Sequence, residues 1–342
     1  MRRSARKWRN RVFVSLLVIV LSVAIAGCSS NNKSQKTTKE LTKVNLRLSW
    51  LVKGEYAPLF VAQQKGYFKD EGLDVNIEEG SEKAIPTQLL VTGQDQFAYI
   101  TANDYVLARD KGMKLTMVAD FLQKSPQIVM ARPGTKLDSP ADMAGKSMVD
   151  TAGGTLGQIL GPFLKANGVD PKSVKLVITD QGAKYNAFLK GDVDFLSAYA
   201  TNDLPLLTAQ TGNKFPTISI ADFGFNILAH GLVASQDYVA KNPNVVKGMI
   251  RAIQKGVDFT VKNPEEAADL IQGLFPEKLK KDVTRLQVAQ TIKLFHTDAT
   301  KDKPYGWQAA EDWDRTIKIL KDNGFLKNPE NASNYYTNDY IK

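Results

Sequence analysis

Apolar and polar positions alternate most clearly between Asn45 and Glu79. Leu46 and Leu48 are spaced by polar residues and predict a half-buried strand ending at Trp50. From Glu55 to Lys65 the spacing is helical, with Leu59, Phe60 and Ala62 available for a buried face. Gly66 stands where a helix end calls for positive φ. Leu73, Val75 and Ile77 then alternate again, so the stretch reads as a βαβ unit with a right-handed crossover. In open α/β sheets ligands sit beyond the carboxyl ends of the strands. Trp50, Lys53, Glu55 and Tyr56 fall at that end, which marks the stretch as half of a ligand-binding cleft.

The pattern continues with a helix near 83–91, a strand at 97–100 running into a helix at Thr101–Asp104, and a strand at 114–119. After a polar break at 120–125, strands at 127–131, 146–150, 174–178, 194–199 and 215–220 are interleaved with helices at 156–167, 182–190 and 201–210. Strand-then-helix order predicts parallel sheets covered on both faces. A strand at 227–234 returns most economically to the first sheet, and everything beyond Ser235 reads as helical. The expectation is an α/β chain of two lobes, each a mostly parallel sheet flanked by helices. Lobe I spans 44–121 plus 227–342 and lobe II spans 122–226, with a hinge near 121–125 and 222–226.

Composition changes this picture mainly at the N-terminus. Met1–Arg11 carries six Arg or Lys and no acid, and an apolar run follows from Val12 to Ile25. Residues 1–27 read as a secretory signal, since the run is shorter than the ~20 residues of a spanning helix. Ile25-Ala26-Gly27-Cys28 resembles the bacterial lipobox, which makes Cys28 a lipidation site and the membrane a partner through its lipid. Residues 28–43 are polar and read as a flexible tether. The formal charge of +9 shrinks once the six N-terminal cations are set aside, leaving 39 basic against 36 acidic residues. That near-balance excludes nucleic acid as an expected partner. One cysteine and two histidines give no metal-ligand cluster, and neither a GxSxG elbow nor a GxxxxGK loop occurs. No cofactor is expected.

Candidate chemistry lies at predicted strand ends. Thr151-Ala152-Gly153-Gly154-Thr155 joins a strand to a helix, so its backbone N–H groups are expected to face the cleft as an anion or carbonyl-oxygen seat, although a tight turn also demands glycine. Aromatic and amide pairs recur at these ends: Trp50 with Tyr56, Tyr99 with Asn103, Tyr199 with Asn202, and Phe223 with Asn226. They are expected to bracket a flat ligand and satisfy its polar edge. Glu55 is either an acceptor for an amino-bearing ligand or a first-turn acid on a helix dipole. His230, in an apolar strand, reads as a core or cleft residue rather than a catalytic base.

Lys65-Gly66-Tyr67-Phe68-Lys69-Asp70-Glu71-Gly72-Leu73-Asp74-Val75 resembles the KGYFxxEGLDV signature of the NMT1/THI5-like solute-binding proteins of ABC importers. The preceding WLVKGEYAP segment, the GQDQF at 93–97 and the KGDVD at 190–194 are similar to further elements of that family. The resemblance covers Val44 to Phe325. It implies a two-lobe, type II periplasmic-binding-protein-like clamshell, a monomer that captures a small molecule and delivers it to an ABC permease and its ATPase. By position it implies ligand contacts at Trp50 and Tyr56 and a cradling turn at Thr151, Gly153, Gly154 and Thr155. Members bind thiamine-related pyrimidines, sulfonates, nitrate or riboflavin. The family's pyrimidine-synthesising branch carries a cysteine-rich motif that this chain lacks, which argues against an enzyme. The clustered aromatics favour a planar heterocycle such as a thiamine-related pyrimidine, with an aliphatic sulfonate as the alternative.

Overall fold

In each of two five-stranded sheets, four strands run one way and a single strand runs against them. The computed structural model describes residues 40–81, 84–152 and 154–342, so the expected signal segment, Cys28 and Gly153 lie outside the described residues. The strands are β1 (Thr42–Leu48), β2 (Leu73–Glu78), β3 (Phe97–Thr101), β4 (Leu115–Leu122) and β5 (Gln127–Ala131), then β6 (Ser147–Thr151), β7 (Lys175–Thr179), β8 (Phe195–Tyr199), β9 (Thr217–Ser219) and β10 (His230–Ser235). The first sheet has the order β2-β1-β3-β10-β4 and the second β7-β6-β8-β5-β9.

The helices that cover the first sheet begin with α1 (Ala57–Gln64), α2 (Tyr67–Asp70), α3 (Pro86–Thr92) and α4 (Ala102–Asp110). The second sheet carries α5 (Thr155–Ala166), α6 (Gln181–Lys190) and α7 (Asp203–Thr211). The chain then adds α8 (Gln236–Lys241), α9 (Pro243–Lys262), α10 (Pro264–Leu274), α11 (Lys281–Thr291) and α12 (Ala310–Asp322). Both sheets are buried on both faces, which explains near-continuous apolar runs such as Phe97–Ile100. Phe97 and Tyr99 enter one core with α1, α9 and α10, while Ala98 and Ile100 enter another with α4 and α12. In the second sheet Val129 and Ala131 face the core under α5, and Ile128 and Met130 the opposite one.

The mostly parallel expectation holds, and each sheet is mixed by a single reversed strand. The reversed strands, β10 and β5, are the two that follow a passage from one sheet to the other without a crossover helix. Without that helix a strand has no means of returning to the same direction. A correction concerns the C-terminus, which is not helical throughout. After α12 the chain makes one short 3-10 turn at Ala332–Asn334 and bridges Tyr336 to Met117 on β4. Buried Arg109 holds this segment, donating to the carbonyl of Asn334 (3.0 Å) and pairing with Glu330 (2.6 Å). Strand β1 also begins at Thr42, two residues inside the expected tether.

Candidate functional site

Where β1, β3, β6 and β8 end and β5 and β10 begin, the two sheets face each other across a cavity of about 480 Å³. That volume suits a small organic ligand.

On the first-sheet side, the chain leaves β1 at Leu48 and turns through Ser49–Lys53 into a 3-10 turn at Gly54–Tyr56. Side chains outside the cavity hold this loop. Glu79 accepts from the Val52 N–H (2.8 Å) and pairs with Lys278 (2.7 Å), and Gln287 accepts from the Gly54 N–H (2.8 Å). A Cβ on Gly54 would stand 2.7 Å from Gln287 Cβ and 2.8 Å from the Thr284 carbonyl, so glycine is required there by space. Glu79, the last residue of the opening βαβ stretch, thus fixes the wall that the stretch builds.

Inside the cavity, Glu55 is 2 % exposed, with Oε1 3.0 Å from Lys53 Nζ and 3.8 Å from His230 Nε2. Burial would raise its pKa, but the charge of Lys53 and of His230 and hydrogen bonding with Lys53 and Thr201 hold it below the ordinary carboxylate value. His230 is buried, and burial pushes its pKa down; Lys53 adds to this, while Glu55 opposes it. Ser49 Oγ lies 3.1 Å from His230 Nε2 and 2.6 Å from the Tyr56 hydroxyl. This is not a nucleophile–base–acid relay. Ser49 and Glu55 both approach Nε2, and Nδ1 has no hydrogen-bond partner among the described residues.

On the opposite side, Asp150 sits on β6 and turns its carboxylate into the start of α5. It accepts from the Thr151 N–H and the Gly157 N–H, each at 2.7 Å. Buried Lys184, on α6, donates to the Ser197 carbonyl (3.2 Å) and lies 3.8 Å from Asp203. Asp203, at the start of α7, also accepts from the Tyr199 N–H (2.6 Å) and the Tyr185 hydroxyl. Among the described residues, each lysine on this cavity wall is therefore faced by a carboxylate of the protein itself.

The sequence model of the NMT1/THI5-like family matches residues 53–267. The chain belongs to that family. A formylaminopyrimidine-binding protein of Halalkalibacterium halodurans is 27 % identical over 329 residues, covering 95 % of this chain and 97 % of that one. A riboflavin-binding protein of Chloroflexus aurantiacus is 26 % identical over 307 residues, with 88 % and 86 % covered. A 4-amino-5-hydroxymethyl-2-methylpyrimidine phosphate synthase of Legionella pneumophila is 25 % identical over 311 residues, with 88 % and 92 % covered. Among solved structures, the periplasmic aliphatic sulphonate binding protein SsuA of Escherichia coli superposes with a TM-score of 0.66 at 13 % identity, covering 87 % of this chain and 92 % of that one. The likeness places this NMT1/THI5-like chain in the two-lobe periplasmic-binding-protein fold.

Of the residues singled out in sequence, Trp50, Glu55, Asn103, Thr151, Gly154, Thr155, Tyr199 and Asn202 line the cavity. Trp50 and Tyr199 are 48 % and 42 % exposed, one on each side. Four others do not line it. Tyr56 and Tyr99 are buried behind His230, Tyr99 stacked on its ring at 5.7 Å and Tyr56 edge-on at 6.3 Å. Burial, with the nearby carboxylates of Glu55 and, for Tyr99, Asp120, pushes both phenols well above their ordinary pKa. Phe223 packs on the core under α5. Asn226 is buried between the passages that link the sheets, accepting from the Ser125 N–H (2.8 Å) and donating to the Gln123 carbonyl (3.0 Å).

At the Thr151–Thr155 turn the expected row of free N–H groups is partly taken up by the protein itself. Thr151 and Gly157 give theirs to Asp150, and Gly154 gives its own to the Thr151 carbonyl (3.0 Å). Lys53, placed at the end of the first strand by the sequence, also lines the cavity, whereas sequence reading missed Ser49, Asp104, Asp150, Lys184 and Asp203, all of which line it. Only Asp150 had a readable signal, as an acid directly preceding a double-glycine turn. No grouping of three potential metal ligands occurs among the described residues.

Proposed function

We propose that this chain is the ligand-capturing receptor of an ABC importer. In this reading it is anchored to the outer face of the bacterial cell membrane through lipidated Cys28, and it delivers a small nitrogen heterocycle to a permease and its ATPase. The single observation that carries the reading is the cavity of about 480 Å³ built from strand ends of both sheets, with an exposed aromatic on either side. Lobe I would be 44–121 plus 227–342 and lobe II 122–226. The passages near 121–125 and 222–226 would serve as the hinge, laced together by Asn226 and by the Ala229 N–H to the Leu122 carbonyl (2.9 Å). Ligand contacts to both walls favour the closed state, because closure is stabilised only by what the ligand adds there. Trp50 and Tyr199 would stack on the heterocycle, with Glu55, Asn103 and Asn202 meeting its polar edge. The names of the relatives in Halalkalibacterium halodurans and Chloroflexus aurantiacus support a pyrimidine or flavin ligand. The test is thermal unfolding against aminopyrimidines, flavins, nitrate and alkanesulfonates. A ligand at a hundred times its Kd adds about 2.7 kcal/mol of stability. A sulfonate that raises Tm where no heterocycle does would overturn the ligand assignment.

A second reading is favoured by one observation: His230 faces the cavity beside Glu55, as a pyrimidine-forming enzyme on this fold would need. Several relatives at about a quarter identity are named as such synthases. Against it stands the absence of any cysteine after Cys28. Incubation with candidate precursors followed by mass spectrometry separates the two. A pyrimidine product that disappears in His230→Ala would establish the enzyme.

A further inference from the structure

Gly154 has φ −58°, a conformation open to any residue, so its backbone does not explain the glycine. Space does. A Cβ at Gly154 would lie 2.5 and 2.6 Å from the two carboxylate oxygens of Asp150, and one at Gly157 would lie 2.8 Å from Oδ2. The glycines of this turn make room for a carboxylate that belongs to the protein. Asp150 is itself 3 % exposed, lines the cavity, and takes the Thr151 and Gly157 N–H groups at 2.7 Å. An amide-rich helix start is a ready anion seat, and here the anion is built in.

We propose that Asp150 is a specificity-determining residue that excludes anionic head groups from the cavity. This deepens the receptor reading and rests on it: the ligand would be neutral or cationic and would present N–H donors, not a sulfonate or phosphate, to the start of α5. The rest of the wall agrees. Among the described residues its two cations, Lys53 and Lys184, face Glu55 and Asp203, and Asp104 stands exposed as a further carboxylate. An arriving anion would meet, among the described residues, four carboxylates against two cations that are already partnered, and it would lose its hydration without gaining the Thr151 and Gly157 N–H groups.

Isothermal titration of the purified protein tests this, with inorganic sulfate, ethanesulfonate and an aminopyrimidine and flavin panel as probes. The wild type, Asp150→Ser, Asp150→Asn and, as a control, Asp104→Asn are compared, with folding checked by circular dichroism. The wild type should take up neither anion at millimolar concentration. Asp150→Ser should gain sulfate affinity by about tenfold or more, since charge-assisted bonds from the freed amides become available. Asp104→Asn, which removes a cavity carboxylate but leaves Asp150 on its two N–H groups, should gain less than Asp150→Ser. Tight ethanesulfonate binding by the wild type, or a folded Asp150→Ser with no gain for either anion, overturns the proposal. Should neither Asp150 variant fold, competition in the wild type decides: displacement of a bound heterocycle by sulfate overturns it, and its failure to displace supports it. A wild type that binds no heterocycle overturns the heterocycle assignment instead, and the sulfate arm still reads Asp150 independently.

Discussion

Replacing Asp120 by Asn should stabilise the protein at neutral pH and leave it nearly unchanged in mild acid. Asp120 lies on β4, is 0 % exposed, and neither carboxylate oxygen has a hydrogen-bond partner among the described residues. The charge facing it is a second carboxylate, Asp312, itself held by Arg315 (2.8 Å) and the Thr297 hydroxyl (2.6 Å). Burial first, and Asp312 second, push the Asp120 pKa well above its ordinary value. The folded state therefore retains a proton that the unfolded chain releases near pH ~3.9. Stability tied to this proton is fully present below that pH and is lost as pH rises, until the folded pKa is passed. The loss is about 1.4 kcal/mol per pH unit in that window. Asn needs no proton and carries no charge against Asp312. At ~2 °C per kcal/mol for a chain of this size, the two proteins should melt together near pH ~4, and the variant's lead should grow by about 3 °C per pH unit above it until the folded pKa is passed. Melting curves of both proteins from pH 4 to 8 in matched buffers measure the gap. A gap that is flat with pH, or a variant less stable at neutral pH, would mean that Asp120 is ionised and partnered, and the reasoning would fail.

Three further substitutions probe the elements that shape the site. Gly256→Ala on α9 would bring a Cβ to 2.2 Å from the Pro58 carbonyl at the start of α1, so the two helices must separate; we expect about 1–3 kcal/mol lost in urea unfolding, and a neutral result would show that α9 slides freely. Asn226→Ala leaves the buried Ser125 N–H and Gln123 carbonyl without their partner. It should cost about 2–4 kcal/mol, and a loss below ~0.5 kcal/mol would show that water replaces the side chain. His230, whose pKa burial lowers, should cost stability as pH falls below about 6.5, since the unfolded chain binds the proton more readily. His230→Gln should flatten that slope between pH 5 and 6.5, and an unchanged slope would place the titration elsewhere.

Legibility in the sequence followed the physical source of each signal. Strand and helix positions came through because hydrophobic spacing and glycine ends are local, as at Gly66, Gly93 and Gly191, all with positive φ in the structure. Strand direction did not come through at β5 and β10, because it depends on what connects strands and not on what they contain. Which aromatics face the cavity was also hidden. Tyr99 lies in a strand buried on both faces, where alternation no longer separates a cavity side from a core side. Trp50, in a loop beyond a strand end, carried no such ambiguity.

The double-glycine turn shows why local motif reading ran out where it did. Glycine after a strand and before a helix has two physical causes that leave the same letters: close approach of an outside anion, or close approach of an inside one. Backbone angles do not separate them, since Gly154 needs no unusual φ. The discriminating residue is the acid that precedes the turn. A side chain at Asp150 is short enough to fold back onto the amides that follow it, and the glycines four and seven residues later are those whose Cβ atoms would strike its carboxylate. Had position 150 been Ser or Val, the same glycines would leave the α5 amides open, and the seat would suit a sulfonate. The charge selectivity of this wall is thus set one residue upstream of the motif that seemed to encode it.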